Sequence, residues 1–195
     1  LLKKEYLKGE GIQMKFNSRR SNVRAKNGMV ATSQPLAAMA GLRILMAGGN
    51  AIDAAVATAA TLSVVEPQST SVGGDVFSLI WMNDEKSVRA LNASGRSSGS
   101  ASRSELLSQN MSHIPIQSPY AVTVPGAVSG WSAVLERYGT MALSDVLKPA
   151  IEYASNGYPV SELISTSWKA NAYKLQAFPS GGELLLNGKA PATGQ

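Results

Sequence analysis

Apolar and polar positions along this chain switch between strand-like and helix-like periods, and each switch marks an element. Gly28-Met29-Val30-Ala31-Thr32 is a short apolar run closed by Ser33-Gln34-Pro35, and it predicts a strand. Pro35 suits the first turn of a helix, where its missing N–H is no loss. Leu36, Met39, Ala40, Ile44 and Leu45 then fall near helical spacing over residues 35–47, before Gly48-Gly49 stops the run. Asn50 is the predicted N-cap of a second helix running from Ala51 to about Val65, with Asp53 favourable in its first turn. From Ala54 to Val65 only Thr58, Thr61 and Ser63 are polar, so this helix should be buried on several sides. It falls short of the roughly 18 apolar residues that a membrane span needs, and no span is predicted.

Glu66-Pro67 ends that helix and opens a Ser/Thr/Gly-rich loop from Gln68 to Asp75. Residues 76–82 then read as a strand, 83–86 as a polar turn and 87–92 as the hairpin partner. A Ser/Gly-rich segment follows over 93–104, with a short helix predicted over 104–110 and another strand over 120–124, closed by Pro125-Gly126. Residues 127–138 and 143–156 carry two amphipathic helical patterns, stopped by Gly139 and Gly157. A weaker helical pattern occupies residues 161–175, and the Gly/Pro-rich end over 178–195 shows no obvious partner. There are no internal repeats. Strands followed by paired helices fit a layered α/β or α+β architecture.

Composition narrows the chemistry. Hydrophobic residues at 44% against charged residues at 16% can fill a core, which argues against a disordered chain. Cysteine is absent, so disulfides, thiolate metal sites and a cysteine nucleophile are excluded. With His113 the sole histidine, a His-rich metal site is impossible within this sequence, and no G-x-S-x-G elbow supports a Ser-His-Asp triad. The net charge of +5 suggests a polyanion partner until its distribution is read. Residues 1–26 hold eight Lys and Arg against two Glu, while the rest holds ten basic and eleven acidic side chains. The positive charge belongs to a tail, so residues 1–27 are expected to be a basic, poorly ordered leader ahead of a unit spanning 28–195, and no nucleic-acid partner is expected. Met14-Lys15-Phe16 looks like a natural start, and the first 13 residues look like upstream sequence. No apolar stretch of signal-peptide type follows the early lysines, so the expected compartment is the cytoplasm. Gly73-Gly74 is not a phosphate loop: no Lys follows and the segment leads into a strand.

A set of segments in fixed order carries more. Gly28-Met29-Val30-Ala31 precedes Gly48-Gly49-Asn50-Ala51-Ile52-Asp53-Ala54-Ala55-Val56-Ala57, then Val64-Val65-Glu66-Pro67 and Val72-Gly73-Gly74-Asp75. Further on stand Ala121-Val122-Thr123-Val124-Pro125-Gly126-Ala127-Val128 and Glu136-Arg137-Tyr138-Gly139. Together they resemble the γ-glutamyltranspeptidase family of N-terminal nucleophile hydrolases, across residues 28–160. The resemblance implies a four-layer αββα sandwich, of which this chain would form part. It implies a precursor that cuts itself, exposing an N-terminal Thr on a small subunit whose own α-amine serves as base. The implied reaction is acyl transfer from a small γ-glutamyl substrate, with backbone donors at the oxyanion, and it calls for no cofactor.

The same resemblance places an Arg after the second hairpin strand to bind the substrate's α-carboxylate. Leu91-Asn92-Ala93-Ser94-Gly95-Arg96 aligns best, which makes Arg96 the candidate, and a planar guanidinium suits a carboxylate. Ser94 and Ser97 offer hydroxyls beside it without any visible base, and Asp75 could contact the substrate amine or hold a turn. Two departures stand out. Ser97-Ser98-Gly99-Ser100 replaces the family's acidic residue and Ala-Pro, and Asp75 stands where many members have Gly. Both put strict glutathione specificity in doubt. The nucleophile is expected beyond Gln195, since Thr193 has only Gly194-Gln195 after it. Asn187-Gly188-Lys189-Ala190-Pro191 resembles the interior of a large subunit, so no catalytic residue is expected within this chain. Two alternatives remain open: an amide hydrolase of the same fold with a different acyl substrate, and a non-catalytic binding or assembly module.

Overall fold

The computed structural model describes residues 21–176 and 178–195. The basic leader therefore lies largely outside the described residues. Its last part, residues 21–27, is exposed and lacks regular structure.

Helix α1 (Pro35–Met46) starts as the sequence predicts, with Pro35 in its first turn and the Gln34 side chain accepting from Leu36 and Ala37 N–H. Helix α2 (Ala51–Val65) has a complete capping box: the Asn50 side chain accepts from Ile52 and Asp53 N–H, and Asp53 accepts from Asn50 N–H. Its polar positions cause no conflict with burial, because Thr58 and Thr61 hydroxyls donate back to Ala54 and Ala57 carbonyls at 2.7 and 2.8 Å. Gly41 lets α1 lie close against α2, since a Cβ there would meet Thr58 Oγ1 at 2.3 Å. Asp53 is fully buried and does more than cap. Its carboxylate also accepts from Thr140 N–H at 3.0 Å, Thr140 Oγ1–H at 2.6 Å and Met141 N–H at 3.3 Å. Burial pushes its pKa up, but the hydrogen bonds from Thr140, Asn50 and Met141 outweigh that and leave it below the ordinary value.

Strands β1 (Val76–Met82) and β2 (Ser87–Ala93) form an antiparallel hairpin in which Val76 faces Ala93 and Met82 faces Ser87. One face of the hairpin meets helix α4 (Ala127–Tyr138), whose Gly130 lies against Val76 and Ala93. The core joins Val56, Ala57 and Ala60 of α2 to Trp131, Val134 and Leu135 of α4, with Val76, Ile80 and Leu91 from the sheet. The other face leaves Phe77, Leu79, Trp81 and Val88 exposed. The architecture is α+β, with two strands and helices over one face among the described residues.

Four expectations change. Residues 28–32 lie beside α1 and α2 without regular structure and form no ladder, because no strand lies next to them among the described residues. Residues 120–124 are not a strand either: Pro119–Ala121 forms one 3-10 turn, Val122 is extended, and the chain reaches α4 without regular structure. The predicted helix over 143–156 divides into α5 (Leu143–Val146) and α6 (Lys148–Asn156), because Pro149 has no N–H to give to Asp145 and its ring would crowd that carbonyl. Residues 178–195 do find partners. Leu186 and Lys189 exchange backbone bonds around Asn187-Gly188, both at positive φ, which is the Asn-Gly hairpin turn. Val160 then pairs with Gly194 and Gln195, and Ser165 Oγ donates to Pro191 O. Helices α3 (Arg103–Ser108) and α7 (Glu162–Gln176) form close to their predicted ranges. No described helix is long and apolar enough to cross a membrane.

Candidate functional site

Three separate stretches of backbone meet where β2 ends. The Val72-Gly73-Gly74-Asp75 turn leads into β1, residues 93–96 leave β2, and residues 122–127 enter α4. Helix α4 starts at Gly126, which has no side chain to satisfy the first N–H groups. The Gly74 carbonyl does so instead, accepting from Gly126 and Ala127 N–H at 3.0 and 2.9 Å. Asp75 ties in the third stretch: its Oδ1 accepts from Gly95 N–H at 2.9 Å and from Thr123 Oγ1–H at 3.1 Å. The Gly95 N–H, helped by the Thr123 and Ser94 hydroxyls, holds the Asp75 carboxyl below its ordinary pKa. Val124 N–H closes the junction on the Arg96 carbonyl at 2.9 Å.

Two glycines make this approach possible. A Cβ on Gly95 would lie 1.5 Å from Val124 O, and one on Gly126 would lie 2.0 Å from Ala93 O. Both obstacles are backbone, so neither can swing aside. The backbone of Arg96 is therefore fixed on both sides, by Gly95 N–H to Asp75 and by its own carbonyl to Val124. Its side chain is exposed and takes part in none of the ion pairs among the described residues. The result is a guanidinium on a held backbone, with its donors available to a ligand.

The other expected site residues have the following places in the junction and the segment after it. Asp75 is structural, as the staple of the junction, and the residue is exposed. Ser94 donates its N–H to Asn92 Oδ1 at 2.9 Å, and its hydroxyl leans on Asp75. Ser97 is exposed in the segment after Arg96, while Ser98 and Ser100 hydroxyls pair with each other at 2.8 Å. Beyond them, Tyr120 OH donates to Glu105 Oε1 at 3.0 Å and fastens α3 to the 3-10 turn. His113 is exposed and touches only the neighbouring Ser112 hydroxyl among the described residues. Among the described residues there is also no cluster of three metal-binding side chains.

Sequence reasoning missed Gln68 and Thr70. They line a recess of about 560 Å³ beside Asp75, and Gln68 Oε1 and Thr70 Oγ1 are buried there without partners among the described residues. Polar residues in a Ser/Thr/Gly-rich loop look like ordinary turn chemistry, and only burial sets these two apart. A cavity of about 640 Å³ lies elsewhere, along β1, and Arg96 does not line it.

Comparison with known proteins identifies the family. The family model described as Gamma-glutamyltranspeptidase matches residues 37–195. The glutathione hydrolase-like YwrD proenzyme of Bacillus subtilis is 43% identical over 169 residues, covering 86% of this chain and 32% of that protein. The acylase ACY 1 proenzyme of Pseudomonas sp. is 37% identical over 184 residues, covering 90% of this chain and 33% of its own length. The chain thus spans about a third of these relatives. Among solved structures, cephalosporin acylase from Bacillus halodurans matches with a TM-score of 0.84 and 40% identity, over 96% of this chain and 36% of that one. Helicobacter pylori γ-glutamyltranspeptidase matches with a TM-score of 0.82 and 31% identity, over 90% of this chain and 51% of that one. With a family model covering most of its length, this chain belongs to the γ-glutamyltranspeptidase family.

Proposed function

We propose that residues 28–195 form the opening portion of the large subunit of an enzyme that transfers or hydrolyses γ-glutamyl amides, with Arg96 holding the α-carboxylate of the γ-glutamyl group. The observation that carries this reading is the junction: backbone bonds and two glycine contacts fix Arg96 at its root while its guanidinium stays exposed. A carboxylate docked there would take two parallel charge-assisted hydrogen bonds. Asp75 Oδ2, with Ser94 and Ser97 close in sequence to Arg96, offers acceptors for the substrate ammonium and hydroxyl contacts for the carboxylate. The nucleophile in this reading is an N-terminal Thr on a small subunit outside these residues. The acyl-enzyme forms by its attack on the γ-carbonyl, its own α-amine taking the proton and delivering it to the leaving amine. The small subunit also supplies the second sheet of an αββα sandwich, laid on the exposed Phe77, Leu79, Trp81 and Val88 face.

A second reading keeps the fold and changes the acyl group. Its support is specific: identity is higher to the cephalosporin acylase structure than to the γ-glutamyltranspeptidase structure, 40% against 31%. The two readings separate in one assay on the full-length protein, offered γ-glutamyl-p-nitroanilide and, in parallel, a glutaryl amide lacking the α-amino and α-carboxyl groups. Preference for the γ-glutamyl substrate that collapses in Arg96→Ala supports the first. Equal or better turnover of the glutaryl amide, indifferent to Arg96→Ala, replaces it with the second.

A further inference from the structure

A pocket of about 240 Å³ lies away from the junction, between helix α7 and the loop that follows α2. Trp168, Asn171, Lys174 and Leu175 line it from one stripe of α7, at the three- and four-residue spacing of a helix face. Gln68 lines it from the loop, and Leu184 from a 3-10 turn over Pro179–Leu184. Arg96 does not line it. Both walls are held. A Cβ on Gly181 would lie 1.8 Å from Leu175 O, so the 3-10 turn sits directly against the end of α7. Phe178 N–H donates to the same carbonyl at 3.1 Å. On the other wall, Ser69 and Thr70 N–H groups both donate to Glu66 O, at 3.0 and 3.3 Å, and close the turn that carries Gln68.

The polar groups in this pocket are few. Lys174 is the one charged side chain lining it among the described residues, and no Asp or Glu faces it there. Lys174 takes part in none of the ion pairs among the described residues, and its Nζ lies 5.9 Å from the Tyr173 ring centroid. Asn171 Nδ2 donates to Ser167 O at 2.8 Å, which leaves Oδ1 as the acceptor of that amide. Gln68 Oε1 is buried with no donor among the described residues, and a buried carbonyl oxygen ordinarily has one. The half-buried Trp168 and Leu175, with Leu184, make the rest of the lining apolar. One ammonium, two amide oxygens and an indole wall complement a ligand with a carboxylate, a donor cation and an apolar body.

We infer that this pocket binds one free α-amino acid with an apolar side chain. The carboxylate of the ligand meets Lys174 Nζ, and its ammonium donates to Asn171 Oδ1. A turn about the soft terminal torsion of Gln68 brings Oε1 to the same ammonium. The apolar side chain lies on Trp168. Size favours a single amino acid, since the pocket falls below the roughly 300–1,000 Å³ of sites for larger ligands. Inorganic phosphate would engage Lys174 but leave both amide oxygens without a donor, and a metal ion would be repelled by the ammonium. The inference stands apart from the proposed function, because none of these side chains belongs to the Arg96 junction.

Isothermal titration calorimetry of the full-length protein with L-methionine is the test. L-methioninamide, which lacks the carboxylate, and N-acetyl-L-methionine, which lacks the ammonium, are the paired probes. The expected result is one saturable methionine site, weakened about tenfold or more in Lys174→Met and in Asn171→Leu, and unchanged in Arg96→Gln. Both analogues should bind more weakly than methionine by a similar factor. Lys174 is exposed and Met keeps its apolar stem, so a urea midpoint equal to the parent's shows that the loss in Lys174→Met is local. No saturable binding in the parent overturns the inference, since the remaining polypeptide then fills the pocket. Binding lost in Arg96→Gln but kept in Lys174→Met overturns it too, since methionine then sits at Arg96. So does methioninamide bound as tightly as methionine, because Lys174 then reads no carboxylate. None of these outcomes depends on turnover: failure here leaves the proposed function standing, and failure of γ-glutamyl turnover leaves this site standing.

Discussion

Replacing Gly95 by Ala probes the junction that holds Arg96. The new Cβ would lie 1.5 Å from Val124 O, half the 3.0 Å at which real Cβ contacts begin, and also 2.6 Å from Val124 C. The obstacle is a peptide group, so residues 93–96 and 122–126 must part. Three bonds are strained together: Gly95 N–H to Asp75, Thr123 Oγ1–H to Asp75, and Val124 N–H to the Arg96 carbonyl. At about 1 kcal/mol net for each bond, and with solvent able to replace part of each at this exposed site, the loss is about 2–4 kcal/mol. Gly99→Ala is the matched control. It lies in the same Ser/Gly-rich segment with nothing within 4 Å of its Cβ position, and should stay within about 0.5 kcal/mol of the parent. Equilibrium urea denaturation of the three proteins gives the comparison directly. Gly95→Ala should also raise KM for the substrate that Arg96 binds, because the guanidinium moves with its backbone. Equal stability of the two alanine variants would refute the close approach and the rigidity argued from it.

Asp53→Asn should lose about 2–4 kcal/mol, since one carboxylate satisfies Asn50, Thr140 and Met141 donors that an amide cannot all accept from. Its lowered pKa sets the sign with pH: the contribution is full above the unfolded value near 3.8 and is lost as pH falls through the folded value, so the stability gap to Asp53→Asn should narrow below that point in urea titrations. Gly130→Ala should cost about 1–3 kcal/mol by the same measurement, because its Cβ would meet Val76 Cγ1 at 2.3 Å and Ala93 Cβ at 2.6 Å, prising α4 from the hairpin. Gly188→Ala should cost about 1 kcal/mol, because φ of 73° strains any residue with a Cβ; limited proteolysis should then cut first near the Leu186–Lys189 turn.

Local signals made much of the fold legible before any coordinates. Pro35, Asn50 and Asp53 announce helix starts through chemistry complete within a few residues, and the 76–92 hairpin declares itself by its turn. Segments whose state depends on a distant neighbour were not legible. Residues 28–32 and 120–124 carry strand-like side chains, but a strand also needs a ladder, and no pattern within the segment says whether one arrives. Pro149 was visible and should have divided the helix over 143–156. Asn187-Gly188 was visible too, yet the weak apolar pattern around it hid its hairpin. At the site, Arg96 came from a resemblance rather than from its surroundings. The structure adds why that position holds still: Gly95 and Gly126 allow backbone contacts, and Asp75 staples the three stretches. Neither glycine announces a role in sequence, because close approach is a property of two segments at once.

The most direct test of the central claim is the KM of the full-length protein for γ-glutamyl-p-nitroanilide in Arg96→Gln and Arg96→Lys. Loss of a bidentate, charge-assisted contact of about 1.5–3 kcal/mol predicts a 10- to 100-fold rise in KM for the Gln variant. Lys should fall between it and the parent, keeping the charge but not the fork. A KM within twofold of the parent in both variants would contradict the assignment of Arg96 to the substrate carboxylate.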